Sequence, residues 1–600
     1  MTMPEKIIRI GGASGYWGET SMATPQFLAA GGLDYIVYDY LAEITMSIMA
    51  RARAKDPAAG FARDFVSVVL KQNLAEIARQ GVKIISNAGG VNPRSCGAAV
   101  RAMIAEHGLD LKVAVVEGDD LLGRAEDLAR GAPQEMFSGE GFPDPARLAS
   151  VNAYLGAFPI AEALAGGADI VITGRSVDSA VTLGACIHEF GWSADDWDRL
   201  SGGTLAGHIL ECGPQTTGGN FTDWQQVIDG IDRIGYPIGE IAADGSFVVS
   251  KPEDTGGIVT VGTVSEQMVY EIGDPQAYFV PDVVCDFSAV EISQQGPDRV
   301  AVQGARGYPA TDTYKVSATY ADGFRGGSLM TFYGIDADKK ARGYADAIFA
   351  RAGAALRASN LGDYTETSVE VLGAESQYGD AKRIDGAREV VLKFAAKHPE
   401  QAGIGILLKE ATGLGLATPP GLSGFAGARA RPSPLVRLFS FLIAKNDVAV
   451  TIDFGDRETV FEPARTAVFD AGAITRPALP TEPARNTETV AVPLVDLAWG
   501  RSGDKGNKAN IGIIARKPEY LPYISAVLTE SVVAGRFAHF LEGGVERFMM
   551  PGSNAMNFLL HDVLGGGGVA SLRNDAQGKG YAQLLLDQPI EIPKKMAESL

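Results

Sequence analysis

Cysteine is scarce in this chain, whose 600 residues include only Cys96, Cys186, Cys212 and Cys285. These four are far apart and form neither a CxxC pair nor a Cys/His spacing of the kind that binds zinc. The cysteine content therefore gives no support to a zinc-binding module. It indicates a reduced, cytosolic protein.

Long apolar runs and clusters of basic residues are also missing. No uninterrupted apolar stretch reaches the ~20 residues that a membrane span needs, and the opening MTMPEKIIRIGG lacks the apolar core of a secretory signal. Acidic side chains outnumber basic ones, 73 to 53, and the formal charge of −20 would repel nucleic acid. We therefore expect a cytoplasmic protein that binds neither membranes nor nucleic acids.

The chain does contain enough apolar sequence for several cores. Hydrophobic residues make up 46% of it and charged residues 21%, as in ordinary soluble enzymes. Because domains run to ~100–200 residues, this length predicts three or four structural units. Large soluble enzymes are most often symmetric homo-oligomers, so we also expect a homo-oligomer.

The N-terminal third alternates short strand-like runs with helical patterns. The runs are KIIRI, LDYIVYDY, VKIISNAGG, KVAVVEGDD and ADIVITGRS. Such alternation predicts an α/β region over residues 5–200, with a mostly parallel, doubly wound-like sheet. Residues 201–460 carry more strand-like pieces, which predicts a mixed α+β region.

Glycine-rich or polar turns follow these strands, at the edge where open parallel sheets bind ligands. The turns after KIIRI, VKIIS and ADIVIT are predicted to line one ligand cleft. Their candidate substrate-binding residues are Ser14, Asn87, Gly89, Gly90, Arg175 and Asp178. Arg175 precedes a predicted helix and could grip a carboxylate or phosphate. The alternative is plain chain reversal at the glycines, with Ser176 or Asp178 as a helix N-cap.

The stretch LAGHILECGPQTTGGNF, residues 205–221, places His208, Glu211 and Cys212 at helical positions i, i+3 and i+4. A histidine there could act as a general base, or could lower the pKa of the Cys212 thiol and make it a nucleophile. A short buried helix that stops at Gly213-Pro214 would have the same pattern without any chemical role. We take the three residues as candidate catalytic groups, because ligand pockets favour domain junctions.

Two later segments show little periodic pattern. Residues 401–434 are rich in glycine, alanine and proline, and are interpreted as a lid over a site or as a surface excursion. Residues 463–489 contain four prolines and predict an extended linker. Beyond the linker, residues 487–595 interleave strands and helices, as in a small α+β domain.

The segment WGRSGDKGNKANIG, residues 499–512, holds Asp504, Lys505 and Asn507 between glycines. One interpretation is a tight hairpin in which the Asp and Asn side chains bond their own backbone. The other is an anion-binding loop that reaches the cleft of the large domain, where Lys505 meets a carboxylate or phosphate. We favour the second interpretation, because the flanking glycines would let a ligand approach the backbone closely.

Several of these stretches occur in the same order in a known family. IGGASGYWGET, SNAGGVNP, ADIVITGRSVDSA, GHILECGPQTTGGNF, YPIGE and LAWGRSGDKGNKANIG together resemble the acyclic terpene utilisation protein A (AtuA) family. The resemblance implies a large domain at 5–460 and a ferredoxin-like domain at 487–595. It also implies a role in degrading acyclic terpenoids or branched-chain acids through acyl-CoA intermediates, with a lyase step on a 3-hydroxy-3-alkylglutaryl-CoA.

Such a cleavage needs a base, donors for the thioester enolate and a cation for the free carboxylate. His208 is the candidate base and Arg175 the candidate cation, while the amides of Gly89-Gly90 or Gly218-Gly219 are the candidate donors. Coenzyme A enters as the thioester substrate. The alternatives are hydration or hydrolysis of the thioester, by Cys212 or an activated water, and a non-catalytic acyl-CoA-binding or assembly subunit.

No cofactor is certain from the sequence. GGASGYWGE matches neither the GxGxxG dinucleotide fingerprint nor a phosphate-binding P-loop. Many lyases of this class use a divalent metal, for which Asp119, Asp120, Glu211 and His208 offer suitable ligand types. Their spacing is not diagnostic, so a divalent metal stays an open alternative.

Overall fold

A computed structural model describes residues 6–424, 429–464, 466–483 and 488–600. Parts of two predicted segments lie outside the described residues, namely 425–428 of the glycine-rich excursion, and 465 and 484–487 of the linker. The predicted domain limits at residues 5 and 487 also fall outside them.

Residues 6–211 alternate strands and helices, as the sequence predicts. The elements are β1 (Ile7–Gly12), α1 (Ala23–Ala30), β2 (Tyr35–Tyr38), α2 (Glu43–Lys55), α3 (Lys71–Gln80), β3 (Lys83–Ser86), α4 (Pro93–Glu106), β4 (Val113–Glu117), α5 (Ala125–Gly131), β5 (Leu148–Ala153), α6 (Phe158–Ala165), β6 (Ile170–Thr173), α7 (Ala180–Phe190) and α8 (Trp197–Glu211). A π-helical turn, Phe65–Leu70, leads into α3.

Residues 212–464 contain mostly strands. They are β7 (Ile238–Ala242), β8 (Phe247–Ser250), β9 (Tyr278–Val280), β10 (Val283–Asp286), β11 (Glu291–Gly296), β12 (Arg299–Gln303), β13 (Arg306–Tyr308), β14 (Thr313–Tyr333), β15 (Glu366–Leu372), β16 (Glu389–His398), β17 (Leu422–Ser423), β18 (Ser433–Ala444), β19 (Val450–Asp453) and β20 (Glu458–Phe461). The helices of this part are α9 (Val261–Val269), α10 (Ala337–Ala358) and α11 (Gln401–Gly413).

The main sheet has eleven strands in the order β11-β12-β8-β7-β1-β2-β3-β6-β4-β19-β20. Its five central strands, β1, β2, β3, β6 and β4, are parallel and all come from the first 200 residues. The flanking strands come from later in the chain and pair antiparallel. The whole sheet is therefore mixed, and its parallel part is confined to the centre.

Helices cover the central strands because side chains alternate between the two faces of each strand. In β2, Ile36 and Tyr38 pack in one cluster with apolar residues of α1 to α4. Tyr35 and Val37 pack in a second cluster with residues of α6 to α9. Both faces are thus buried, which explains why YIVY has no polar position.

A second sheet is built around the long strand β14. The first half of β14 lies between β5 and β18, and its second half pairs with β16 and β17. Helices α10 and α11 cover one face of this sheet. The prediction of an irregular segment over 401–434 is therefore wrong at its start, where the chain forms α11. Ile404, Leu407 and Ala411 give this helix a buried stripe at helical spacing.

The described part of the predicted linker crosses the surface of the large domain without forming a strand. The Phe469 amide donates a hydrogen bond to the Ala310 carbonyl (3.0 Å), and the Phe469 ring packs against Phe279. Arg476 makes an ion pair with Asp274 (2.5 Å). These contacts hold the extended segment against the large domain.

The C-terminal domain is a small antiparallel sheet with helices. Its elements are β21 (Thr489–Pro493), β22 (Ala498–Lys505), β23 (Lys508–Ala515), α12 (Leu521–Val527), α13 (Glu530–Arg536), β24 (Val545–Met550), β25 (Ala555–Leu560), α14 (Tyr581–Leu585), β26 (Pro589–Pro593) and α15 (Lys594–Ala597). Four strands form the sheet β22-β23-β25-β24, while β21 pairs with β26. One face of the four-stranded sheet packs on α12, α13 and α14.

The other face of this small sheet rests on α9 of the large domain. Gly512 of β23 meets Val269, and a Cβ at Gly512 would come within 2.2 Å of that side chain. The Asn510 side chain donates to the Val269 carbonyl (2.6 Å), and Asn557 donates to the Ile272 carbonyl (2.8 Å). The interface is therefore closely packed and satisfies backbone carbonyls at the end of α9.

The turn after β1 approaches the C-terminal end of α8 very closely. A Cβ at Gly12 would lie 2.4 Å from the Leu210 carbonyl oxygen, and one at Gly15 would lie 3.1 Å from the Cys212 backbone. Real Cβ atoms do not occupy a position like that at Gly12, so this contact requires glycine, and a Cβ at Gly15 would be a tight contact. The helix ends just beyond them, where Gly213 takes φ +52° and Pro214 follows.

We expect Gly12→Ala to lower the free energy of unfolding by about 1–3 kcal/mol, because the added methyl forces β1 away from α8. Gly123→Ala is the matched control, since a Cβ at Gly123 would meet no atom within 4 Å. Urea denaturation of both variants measures the difference. Equal midpoints for the two variants would contradict the close packing.

Candidate functional site

The carboxyl ends of the central strands meet at one edge of the main sheet. The Ser14 hydroxyl donates to the Asp39 carbonyl (3.0 Å), and the Asn87 side chain accepts from the Tyr40 amide (2.8 Å) and donates to the Asp39 carboxylate. The turns after β1, β2 and β3 are thereby tied together. The turn after β6 joins them, because the Arg175 guanidinium donates to the Leu41 carbonyl (3.1 Å).

The glycines of the Asn87 turn serve close packing. A Cβ at Gly89 would lie 2.4 Å from the Thr173 carbonyl oxygen. The Gly89 amide donates to that carbonyl (3.1 Å), and the Gly90 amide donates to the Asn87 carbonyl (3.2 Å). These amides are not available as enolate donors, which contradicts the sequence-based hypothesis.

The second predicted pair of enolate donors fails for the same reason. The Gly218 amide donates to the Gln215 carbonyl (3.3 Å), and the Gly219 amide donates to the Pro214 carbonyl (2.8 Å). Both bonds close turns that follow α8. Both backbone sites that the sequence analysis offered as enolate donors are therefore occupied.

Arg175 is buried beneath this edge and is held on several sides. Its guanidinium donates to the Ser176 carbonyl (3.1 Å) and to Asp178 (2.7 Å), and it lies 4.2 Å from the centroid of the Tyr154 ring. The N-cap alternative is wrong, because α7 begins at Ala180 and its N-cap, Ser179, makes no capping hydrogen bond. Asp178 instead pairs with Arg175.

Three residues that the sequence analysis missed complete this part of the edge. The Tyr154 hydroxyl donates to Glu43 (2.6 Å), and the Lys315 ammonium lies 3.8 Å from the same carboxylate. Burial raises the pKa of Glu43, but the charges of Lys315 and Arg175 outweigh it and lower the pKa to about 2. Glu43 is thus ionised at neutral pH, and it balances two cations.

His208 and Glu211 form a pair near the end of α8. The His208 Nδ1 atom lies 2.9 Å from a Glu211 oxygen, and only 1% of the His208 side chain is exposed. Its Nε2 atom is buried and has no hydrogen-bond partner in the described part of the chain. The backbone is held too, because Gln267 donates to the His208 carbonyl (3.0 Å). This is an oriented imidazole with one nitrogen left for other chemistry.

Cys212 is not paired with the imidazole of this helix. The imidazole of His208 pairs with Glu211 instead of the thiol. Burial, together with the negative charges of Glu211 and Glu271, raises the pKa of Cys212 well above its usual value. These features give no support to the thiolate hypothesis, and the Cys212 backbone packs against Gly15.

The tip of the β22–β23 hairpin brings the C-terminal domain to the His208 region. The Lys505 ammonium lies 5.9 Å from the centroid of the Tyr278 ring, and the centroid of the His208 ring also lies 5.9 Å from it. Lys505 also lowers the pKa of Glu211, although burial keeps that pKa raised overall. Residues 502–507 thus lie at the tip of a hairpin with a two-residue turn, and they also form part of the rim of the site.

Asp504 belongs to a charged cluster on the same rim. The Lys579 ammonium lies 2.7 Å from Glu271 and 3.2 Å from Asp504, and it also contacts the Tyr270 hydroxyl. Burial raises the pKa of Asp504 to about 6, and Glu271 adds to the shift. The cluster joins the end of α9 to the C-terminal domain.

Asn507 holds a glycine loop of its own domain. Its side-chain oxygen accepts from the Gly566 amide (2.8 Å) and the Gly567 amide (3.1 Å), and its nitrogen donates to Asp562 (3.0 Å). The predicted substrate contact of Asn507 stays a prediction.

The candidate metal ligands do not converge. Asp119 accepts from the Arg175 amide (2.9 Å) and from Asn152 (2.8 Å), whereas Asp120 pairs with Arg53 (2.7 Å). Neither contacts the His208–Glu211 pair. In the described ranges, no group of three or more His, Cys, Asp or Glu side chains is arranged to hold a metal ion.

Comparison with known proteins agrees with the resemblance noted from the motifs. Residues 8–454 match the acyclic terpene utilisation family protein AtuA, and residues 492–591 match the AtuA ferredoxin-like domain. The chain belongs to the AtuA family. Neither a curated protein nor a solved structure matches it. The AtuA resemblance and the ferredoxin-like C-terminal domain are thereby confirmed. None of this AtuA protein's described helices is both long and apolar enough to span a bilayer.

The signals for the missed residues differ. Glu43 begins α2, just beyond the turn that follows β2 in the AtuA domain, so the strand-end rule that selected Asn87 could have found it. Tyr154 and Lys315 lie at or in strands whose partners are distant in sequence, whereas Tyr278 lies in β9, which pairs with the neighbouring β10. No local pattern marks any of these three residues.

The pKa of Asp119 predicts a pH effect on stability. Burial raises it from 3.8 to about 7, so between these values the folded protein keeps a proton that the unfolded chain has lost. Stability should therefore fall as the pH rises through this window. We expect Asp119→Asn to remove the contribution of this carboxyl to the pH dependence. The unfolding temperature of the variant should then differ less between about pH 5 and about pH 8 than that of the parent protein.

Asp120→Asn is the control for this measurement, because Asp120 is partly exposed and pairs with Arg53. It should keep the pH response of the parent protein. A parent-like response in Asp119→Asn would show that the buried carboxyl does not take up the proton.

Proposed function

We propose that this AtuA protein is a cytoplasmic, homo-oligomeric enzyme of acyclic terpene or branched-chain acid catabolism that acts on a branched acyl-CoA thioester. The proposed reaction is carbon–carbon cleavage of a 3-hydroxy-3-alkylglutaryl-CoA. One observation carries the proposal, which is the buried His208 imidazole with Nδ1 held by Glu211 and Nε2 without a partner in the described residues. Family membership supports the pathway.

His208 takes the role of general base. Its Nε2 removes the proton of the tertiary hydroxyl, the bond between C2 and C3 breaks, and the electron pair moves into the thioester enolate. The products are a keto acid and the enolate, which regains a proton to form the smaller acyl-CoA. Glu211 fixes the tautomer and stabilises the imidazolium that forms.

Side-chain cations take the roles for which the sequence analysis offered backbone amides. Lys505 lies on the rim beside Tyr278, and Lys315 lies beside Glu43 and the Tyr154 ring. We assign one ammonium to the free carboxylate and the other to the developing enolate, where a preorganised charge lowers the barrier most. Arg175 stays a further candidate for the carboxylate, because Leu41, Ser176 and Asp178 all accept from its Nη1 atom and its Nε atom has no partner in the described residues.

The proposed mechanism needs no covalent intermediate. The raised pKa of Cys212 argues against hydrolysis through a thiolate. A hydratase or hydrolase that uses an activated water would share His208 as its base, so only the products separate it from the lyase. A non-catalytic acyl-CoA subunit would give no products at all.

The test is turnover of a panel of 3-hydroxy-3-alkylglutaryl-CoA esters, with products identified by mass spectrometry. We expect a keto acid and a shorter acyl-CoA. His208→Ala should lower kcat by about 10²-fold or more, the usual effect of losing a general base. Glu211→Gln should lower kcat less, because the imidazole keeps its place but loses the carboxylate charge.

Cys212→Ser is the matched control on the same helix end, and it should retain activity near that of the parent protein. Hydrated or hydrolysed products would reassign the reaction class. An unreactive panel would favour the binding subunit, and parent-like kcat in His208→Ala would remove His208 from the mechanism.

A further inference from the structure

A loop of four glycines, Gly565–Gly568, lies directly behind the hairpin that carries Lys505. Three of these glycines have positive φ, +65° at Gly565, +93° at Gly566 and +88° at Gly567. A Cβ at Gly567 would lie 2.9 Å from the Gly506 carbonyl oxygen, so the loop touches the hairpin tip. The amides of Gly566 and Gly567 donate to the Asn507 side chain, so what the loop offers a ligand is its position beside the hairpin and the cations around it.

Cations from three elements converge on this loop. The Lys397 ammonium of β16 lies 3.9 Å from the Cβ position of Gly566, and Arg573 Nε lies 3.3 Å from that of Gly565. Arg325 of β14 donates to the Ser571 carbonyl (3.1 Å), one turn beyond the loop. Two of these cations belong to the large domain, so the loop sits where the two domains meet.

Two of these cations lack a carboxylate partner among the described residues. Lys397 pairs with Glu366 (2.5 Å), and an Asp504 oxygen lies 3.3 Å from the Cβ position of Gly568. Arg325 and Arg573, by contrast, have no carboxylate within ion-pair distance in the described part of the chain. Burial lowers the pKa of Arg325, and no carboxylate offsets that effect. Cations without a carboxylate partner favour an anionic ligand.

We propose that the Gly565–Gly568 loop, together with Arg325, Lys397 and Arg573, binds the phosphates of the coenzyme A thioester. This inference rests on the proposed function, which it deepens by placing the nucleotide end of the substrate. The pantetheine arm then runs from the His208–Glu211 pair past Tyr278 and Lys505 to the loop. Coenzyme A fits this path because its anionic groups are separated from its thioester by a long uncharged arm.

A purely structural role explains less of what is seen. The Asn507 side chain occupies the amides of Gly566 and Gly567 and so shapes the loop. That bond accounts for the glycines, but it does not explain why Arg325 and Lys397 of the second sheet lie beside the loop. Arginine without a carboxylate partner is the residue type that phosphate binding uses.

The test is calorimetric binding of coenzyme A and of dephospho-coenzyme A to the full chain. Arg325→Gln and Lys397→Gln should each weaken coenzyme A binding at least about tenfold, the effect of losing one charge-assisted contact. Arg342→Gln, on the exposed side of α10, is the matched control and should bind like the parent protein. A loss confined to coenzyme A places its 3′-phosphate at the loop, and a loss with both ligands places the diphosphate there.

Kinetics with a truncated substrate separate this site from the catalytic one. The loss of kcat/KM in Arg325→Gln should be at least about tenfold larger for the acyl-CoA than for the matching acyl-pantetheine, which lacks the nucleotide. Equal losses with both substrates would indicate structural damage and overturn the inference.

The two proposals fail in different ways. If the parent protein binds coenzyme A while Arg325→Gln and Lys397→Gln bind it equally well, the phosphates lie elsewhere and the proposed function stands. If the parent protein neither binds coenzyme A nor turns over any thioester, the proposed function fails and this inference fails with it.

Discussion

The close approach of the β1 turn to the end of α8 is the constraint on which the candidate site depends. Glycine at position 12 lets the backbone pass the Leu210 carbonyl at a distance that no Cβ allows, and Gly15 packs tightly against the Cys212 backbone. This contact places the His208–Glu211 pair beside the carboxyl ends of the parallel strands. The site therefore combines the carboxyl ends of the strands with the end of a helix. The two can pack this closely because glycines lie at their contact.

The C-terminal domain completes the site instead of standing apart from it. Its sheet packs on α9 through Gly512, and the Arg516 guanidinium pairs with Asp223 of the large domain (2.6 Å). This docking brings Lys505 to the ring of Tyr278. A charge placed in this way acts on Glu211 from another domain, so catalysis by His208 would depend on how the two domains dock.

Buried charges at the site are balanced in small groups. Glu43 compensates Lys315 and Arg175, while Lys579 compensates Glu271 and Asp504. Buried ions need such partners, because burying a charge without a partner costs on the order of several kcal/mol in lost hydration. The exceptions are Arg325 and Arg573 beside the four-glycine loop, which have no carboxylate within ion-pair distance in the described part of the chain. The proposed phosphate site rests on these two unpaired charges.

Local pattern in the sequence determined the central strands, the glycine turns at their carboxyl ends, the family, and the helical face that carries His208 and Glu211. These follow from β-branched runs, from residues that tolerate tight turns and from helical spacing, each acting over a few positions. Only the tertiary structure decided the mixed eleven-stranded sheet, the surroundings of Cys212, the occupied amides of Gly89-Gly90, and the positions of Lys315 and Lys505 beside the site. These depend on pairings between residues far apart in the chain, and they are set by burial and packing, which no short stretch of sequence specifies.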